Sequence, residues 1–142
     1  MTSEFTVTVN GTPQVQGNHR VSRTGYTYDT NKNLKPWRDA VALTVRNHMR
    51  KNGIEPITEG AVGMALTFIM PRTKAMKDKP APPMTQRPDT IKLARAVEDA
   101  LAGVAYNDDS QIIHHYLIKR RAEPGEKPGV KITIKQHTEE NQ

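Results

Sequence analysis

The sequence predicts a mixed α/β (α+β) domain, in which a small sheet of about four or five strands packs against two main helices. Four stretches alternate between apolar and polar residues or are rich in apolar and β-branched residues, as β-strands are. Two others repeat apolar residues every three or four positions, the spacing of a helix that buries one face. The order strand, helix, strand, helix, strand, strand is typical of the mixed class, and 142 residues suffice for a single domain.

The overall charge indicates a polyanionic partner. The chain has 21 Lys and Arg residues against 15 Asp and Glu residues, a formal net charge of +6. It has no cysteine, which excludes disulfide bonds and thiolate metal ligands. No apolar run is long enough to span a bilayer, and the N-terminus lacks an apolar core of signal-peptide length. We therefore expect a nucleic acid partner, no membrane, and a cytoplasmic location.

The N-terminal part of the chain is predicted to contain a strand and a polar loop. Residues 4–9 alternate and are rich in β-branched side chains, which favours a strand. Residues 12–29 are polar, carry Arg20 and Arg23, and suggest a short strand around Thr27. This stretch is either a loop that contacts phosphates or an ordinary hairpin edge, and the residues alone leave both interpretations open.

A helix and a buried strand follow. Residues 36–51 predict a helix, because Pro36 suits the first turn and apolar residues recur at every fourth position. Residues 61–70 are largely apolar and predict a buried strand that ends at Pro71. The core-facing helix positions are Trp37, Val41, Val45 and Met49.

Residues 71–88 predict a mobile basic loop. They combine prolines with cations and offer little apolar surface to bury. The loop is either an arm that closes on the DNA backbone or a solvated linker, and its position directly before an acidic helix favours the arm. Its candidate DNA-binding residues are Arg72, Lys74, Lys77, Lys79 and Arg87.

The rest of the chain is organised around residues 86–111, which predict a helix followed by an acidic turn. Asp89 or Thr90 can accept hydrogen bonds from the free amides of the first helical turn, and Gly103 suits the C-terminal end. The apolar stripe is Leu93, Ala96, Val97, Ala100, Leu101 and Val104; the charged face is Lys92, Arg95 and Asp99, with Glu98 at its margin.

Two strands complete the prediction. Residues 111–120 supply one, and residues 130–135 alternate cleanly and supply the other, with a hairpin-type loop of turn residues between them. His114 and His115 point to opposite faces of the first strand, so they cannot bind one metal together. Residues 137–142 are expected to be a frayed tail.

Carboxylates at both ends of the central helix form a candidate metal site. Carboxylates that converge within a few ångströms repel each other unless a divalent cation lies between them, and hard oxygen ligands suit Mg²⁺ or Mn²⁺. Such an ion polarises a phosphodiester and activates water. Each carboxylate also has a structural interpretation: Asp89 as a helix cap, Asp108 and Asp109 as turn formers, and Glu98 as a solvated surface residue.

The same stretch resembles the RusA family of Holliday junction resolvases. The pattern is R-P-D, then K-L-x-R-A-V-x-D-A-L, then D-D-S-Q-I, and a weaker similarity extends over most of the chain. The resemblance implies a small endonuclease of a bacterial host or a phage-infected cell. It also implies a homodimer that binds four-way DNA junctions and cuts two strands symmetrically with magnesium, for which manganese can substitute.

The resemblance assigns catalytic roles to three residues. Asp89 and Asp109 fall on the family's first and last aspartates, and Arg95 falls on its helix lysine. The family's second aspartate is replaced by Ile91, which removes one expected metal ligand, and Glu98 lies two helical turns further along the same face as a substitute. The candidate metal ligands are thus Asp89, Asp109, Asp108 and Glu98, while Lys92 joins Arg20, Arg23 and the basic loop as candidate DNA contacts.

Two other functions stay open at this point. With Ile91 in place of a carboxylate, the chain could bind branched DNA without cutting it. It could also be a basic adaptor that binds RNA or an acidic protein. Metal dependence separates the endonuclease from both alternatives, and preference for branched over linear DNA separates the two alternatives from each other.

Overall fold

The computed structural model describes residues 4–16, 19–25, 27–29 and 31–137, with residues 19–21 and 27–29 described by their backbone alone. It confirms the mixed α+β class. The helices within these ranges are α1 (Leu34–Lys51) and α2 (Thr90–Leu101). The strands are β1 (Glu4–Asn10), β2 (His19–Val21), β3 (Thr27–Asp29), β4 (Ala61–Met70), β5 (Ile112–Arg121) and β6 (Gly129–His137). In this part of the chain, neither helix is long and apolar enough to cross a membrane.

The main sheet has four strands in the order β1-β6-β4-β5. Strand β4 pairs in parallel with β5 and antiparallel with β6, while β1 pairs antiparallel with β6. Strands β2 and β3 form a separate two-stranded hairpin. The parallel pair requires a crossover between β4 and β5, and α2 lies in that crossover.

Both helices cover the same face of the sheet. Strand β4 places alternate side chains on that face, where they are buried against the apolar stripes of α1 and α2, as the period of two requires. Both stripes agree with the helical spacing read from the sequence. The buried β4 side chains are Val62, Met64, Leu66, Phe68 and Met70; those of α1 are Leu34, Trp37, Val41, Val45 and Met49.

The predicted element boundaries need small corrections at three places. Helix α1 begins at Leu34, two residues before Pro36. His137 is not part of a frayed tail, because it is the last residue of β6 and pairs with Ala61; residues 138–142 lie outside the described residues. Asp89 precedes α2, but its side chain makes no capping hydrogen bond, so its carboxylate does not cap the N-terminus of the helix.

The basic segment 71–88 follows a defined path against the sheet. The Arg72 guanidinium donates to the carbonyl oxygens of Ala122, Lys77 and Lys79 at 2.8, 2.8 and 2.6 Å. Lys119 donates to the carbonyl oxygens of Gln86 and Pro88 at 2.7 and 2.9 Å, and Met84 is buried in the core. Mobility of this segment stays a prediction.

The loop between β5 and β6 is not the expected hairpin loop, because β4 lies between these two strands in the sheet. Glu126 is expected to stabilise this loop in a pH-dependent manner. Arg120 donates two hydrogen bonds to its carboxylate, at 2.6 and 2.7 Å, and these bonds, together with the backbone N–H of Glu123, lower the pKa of Glu126 to about 2. A depressed carboxylate pKa stabilises the fold above its unfolded-state value near 4.5, and the gain is lost as the pH falls through about 2. Because the pair is partly exposed, Glu126→Gln should cost about 1 kcal/mol or less at pH 7.

Urea unfolding of the parent and of Glu126→Gln at a series of pH values measures this contribution. The difference in unfolding free energy should be largest above pH 5 and should shrink towards pH 2. A difference that stays constant over this range would show that packing, not the ion pair, is responsible.

Candidate active site

Helix α2 presents its charged face to solvent beside an acidic turn. The chain leaves α2 at Leu101, reverses at Gly103, whose φ of +86° is accessible mainly to glycine, and buries Tyr106 under the helix. The Tyr106 hydroxyl donates to the carbonyl oxygen of Glu98 at 2.7 Å. Burial raises the pKa of Tyr106, and nearby carboxylates raise it further. Tyr106 is therefore a neutral anchor that fixes the following turn against α2.

The acidic turn is built by its own side chains. Asp108 accepts from the backbone N–H of Ser110 at 2.9 Å, and Gln111 accepts from the backbone N–H groups of Asn107 and Asp108 at 2.8 and 2.9 Å. The Gln111 amide also donates to the carbonyl oxygen of Ile57 at 3.0 Å. These bonds hold a short 3-10 turn directly before β5, and they leave the Asp109 side chain exposed.

The carboxylates of this turn are crowded. A hydrogen bond between the Asp108 and Asp109 side chains raises the pKa of Asp109; partial desolvation and the negative charges of Asp108 and Asp99 raise it further, and Arg95 opposes the rise. The pKa of Asp108 is lowered, first by the Ser110 backbone N–H and then by the bond with Asp109. Like charges share this site at a cost that a bound cation would remove.

Asp99 belongs to this group, although the sequence suggested only a surface charge. Its carboxylate accepts a hydrogen bond from the Gln16 amide at 2.6 Å, so the loop before β2 is tied to α2 at this point. Asp99 also follows Arg95 by four residues and therefore shares its helix face. That spacing was the available signal for Asp99; nothing in the sequence indicated Gln16.

Asp89 lies at the opposite end of α2. Its nearest charged partner is Lys92, at 3.9 Å, and both side chains are largely exposed. Ten residues of helix separate it from Asp99, roughly 15 Å along the axis. Asp89 is not among the charges that shift the pKa of Asp109. The charges that act on Asp109 are thus those of Asp108, Asp99 and Arg95.

Glu98 is engaged by a residue that the sequence did not identify. The His115 imidazole on β5 contacts the Glu98 carboxylate, whose side chain is only 16% exposed. His114 lies on the other face of β5, near His137, as the alternation of a strand requires. Glu98 therefore links α2 to the sheet, and the contact with His115 competes with any role as a metal ligand.

The candidate DNA-binding cations differ in exposure and in their partners. Arg72 donates its hydrogen bonds to backbone carbonyls and organises the basic segment. The side chain of Arg20 lies outside the described residues. The exposed members are Arg23, Lys74, Lys77, Lys79, Arg87 and Lys92. The backbone at Lys77 has a φ of +47°, which residues other than glycine rarely adopt.

The donor set fits a magnesium ion only in part. Among the described residues, no three His, Asp or Glu side chains form a group that could hold a metal ion. Magnesium, however, commonly binds through one or two carboxylates and completes its octahedron with water and substrate phosphate oxygens. The Asp108–Asp109 pair offers oxygen ligands of that kind and number, and its mutual repulsion favours a cation.

One comparison with known proteins finds a relationship over most of the chain. A family model described as endodeoxyribonuclease RusA matches residues 10–135. The match begins at the last residue of β1 and ends within β6, so it includes both helices, the basic segment and the acidic turn. A search of curated proteins finds no match.

Proposed function

The chain belongs to the RusA family of endodeoxyribonucleases, and from this we propose that it is a magnesium-dependent endonuclease that resolves four-way (Holliday) DNA junctions. The observation that supports this most is that the exposed Asp109 experiences the negative charges of Asp108 and Asp99 and the positive charge of Arg95. DNA as substrate agrees with the net charge of +6 and with a cytoplasmic location.

Each residue of the group has a chemical role in this proposal. Asp109 and Asp108 would hold the metal, which when bound polarises the scissile phosphate and lowers the pKa of an attacking water. Arg95 keeps its charge beside them and offsets the negative charge that develops on the phosphorus oxygens. Asp99, held by Gln16, adds negative charge that disfavours ionisation of Asp109 and so favours a bound cation.

We further propose that the protein acts as a homodimer. Two sites related by a twofold axis match the symmetry of a four-way junction and allow paired cuts. The sheet face opposite the helices can accept the second copy, because Tyr116 is 62% and Ile118 37% exposed there. With Ala65, the register partner of Tyr116 on β4, these side chains form an apolar strip on this face, which is bordered by Lys131 and Lys135 of β6.

Cleavage of a synthetic four-way junction beside a linear duplex of the same sequence tests the proposal. With magnesium, we expect paired symmetric nicks in the junction only, and EDTA should abolish them. Light scattering should give the mass of a dimer. Tight junction binding without cutting in magnesium or manganese would instead identify a branched-DNA-binding protein, an outcome favoured by Ile91 at the position of a family aspartate.

Equal affinity for junction and linear duplex, with no effect of metal, would contradict both of these functions. A basic adaptor for RNA or an acidic protein would then be the better description.

A further inference from the structure

A cleft lies beside Asp99, on the side of α1. It has a volume of about 580 Å³ and lies between the first turns of α1 and the C-terminal half of α2. Because α1 and α2 pack directly against each other, its two walls are fixed by the core. Its floor is apolar, formed by Leu34, Ala42 and Ala100, and its rim carries the cations Lys32, Lys35 and Arg38.

The cations of this rim are not equally engaged. Lys35 forms an ion pair with Asp39 at 2.8 Å. Arg38 is half-buried, and within the described residues its guanidinium has no hydrogen-bond or ion-pair partner. A guanidinium has five N–H donors, and within the described residues those of Arg38 are open to solvent and not used. Arg38 is therefore poised for an anionic group that enters the cleft.

The cleft and the candidate active site share Asp99. Asp99 forms part of the cleft wall and acts electrostatically on Asp109. A nucleic acid strand that extends from Asp109 along this wall meets the carboxylates of Asp99 and Asp39, which repel its backbone. Lys32 and Arg38 stand beside these carboxylates and can offset that repulsion.

From these contacts we propose that the cleft binds the DNA backbone next to the scissile phosphate, with Arg38 and Lys32 as phosphate ligands. Arg and Lys side chains supply most protein contacts to DNA phosphates, and the planar guanidinium can donate two parallel bonds to one phosphate. The apolar floor suits the deoxyribose between phosphates. This inference rests on the proposed function, because it adds a binding surface to the same reaction.

The salt dependence of junction binding tests the inference. Binding is measured in EDTA, so that no strand is cut, at salt concentrations from about 50 to 200 mM, a range over which phosphate contacts strongly change affinity. Arg38→Ala should weaken binding and reduce the slope of log affinity against log salt by about 0.9, the value for one lost phosphate contact. Lys32→Ala should do the same.

The matched control is Arg50→Ala. Arg50 is an exposed arginine on the same helix, twelve residues from Arg38 and thus roughly 18 Å further along the axis. Arg50→Ala removes the same charge as Arg38→Ala, so a general effect of net charge would appear in both variants. We expect Arg50→Ala to keep the parent slope.

The outcomes separate this inference from the proposed function. If the parent cuts the junction in magnesium but Arg38→Ala and Lys32→Ala keep its affinity and slope, the cleft is not a DNA surface, and only the inference fails. If the parent does not bind DNA, both fail. Thermal unfolding verifies that the variants are folded, and Lys32, which is exposed, still provides the test if Arg38→Ala unfolds.

Discussion

Asp109→Asn is expected to lower the rate of junction cleavage by at least about 100-fold, the upper end of losses seen when even an outer-shell partner of a metal site is removed. The amide keeps the size of the side chain but removes the charge that would hold the cation. Junction binding in EDTA should be unchanged or tighter, because one carboxylate fewer repels the DNA backbone. Single-turnover cleavage and equilibrium binding measure the two effects separately.

The control for this substitution is Glu55→Gln. Glu55 is an exposed carboxylate between α1 and β4, and its neutralisation should leave the cleavage rate unchanged. If the Asp109→Asn variant cuts at the parent rate, the metal site does not lie at the acidic turn. Asp89→Asn would then be the decisive variant, because Asp89 carries the other family position and its carboxylate does not cap α2.

Arg95→Ala is expected to have the second-largest effect, a loss of about 100-fold in cleavage rate. Removing one group that stabilises transition-state charge typically costs that much. Arg95→Lys should retain most of the activity, because the side chain keeps its positive charge. Loss of the cation should also raise the pKa of Asp109, since Arg95 is the charge that opposes its upward shift.

The pH profile of cleavage distinguishes this role from a purely structural one. If Asp109 must be ionised, activity rises with pH through its pKa, so Arg95→Ala should reach half of its maximal rate at a higher pH than the parent. Arg46→Ala, which removes an exposed arginine of α1, should change neither the rate nor the profile. An Arg95→Ala variant with a lower rate but an unshifted profile would show that Arg95 does not act on Asp109.

The site could be predicted only in part, because its residues come from separate segments. Family positions identified Asp89, Asp109 and Arg95, and the local turn pattern identified Asp108. His115 was not recognised as a partner of Glu98. The alternation of a strand indicates the face on which a side chain lies, but not which residue of another element it contacts there. Arg72 was predicted as a DNA contact, yet its carbonyl partners lie up to 50 residues away.

The fold itself was accessible because its signals are local. The strand over 61–70 and the stripe of α2 follow from the periodicity with which apolar side chains must be buried, and that periodicity is written in consecutive residues. Strand order is different. The sequence of β6 does not indicate that this strand lies between β1 and β4, because strand pairing depends on the packing of the whole sheet.

The sequence by itself thus determined the class of fold, the positions of its helices and main strands, the family and the acidic turn. Only the tertiary structure decided that the charge of Asp99 acts on Asp109 and that Arg38 lines a cleft together with Asp99. The physical reason is range: the apolar periodicity and the turn signals that predict these features lie within short stretches of consecutive residues. Electrostatic crowding and cleft formation act between neighbours in space, which the chain brings together only when it folds.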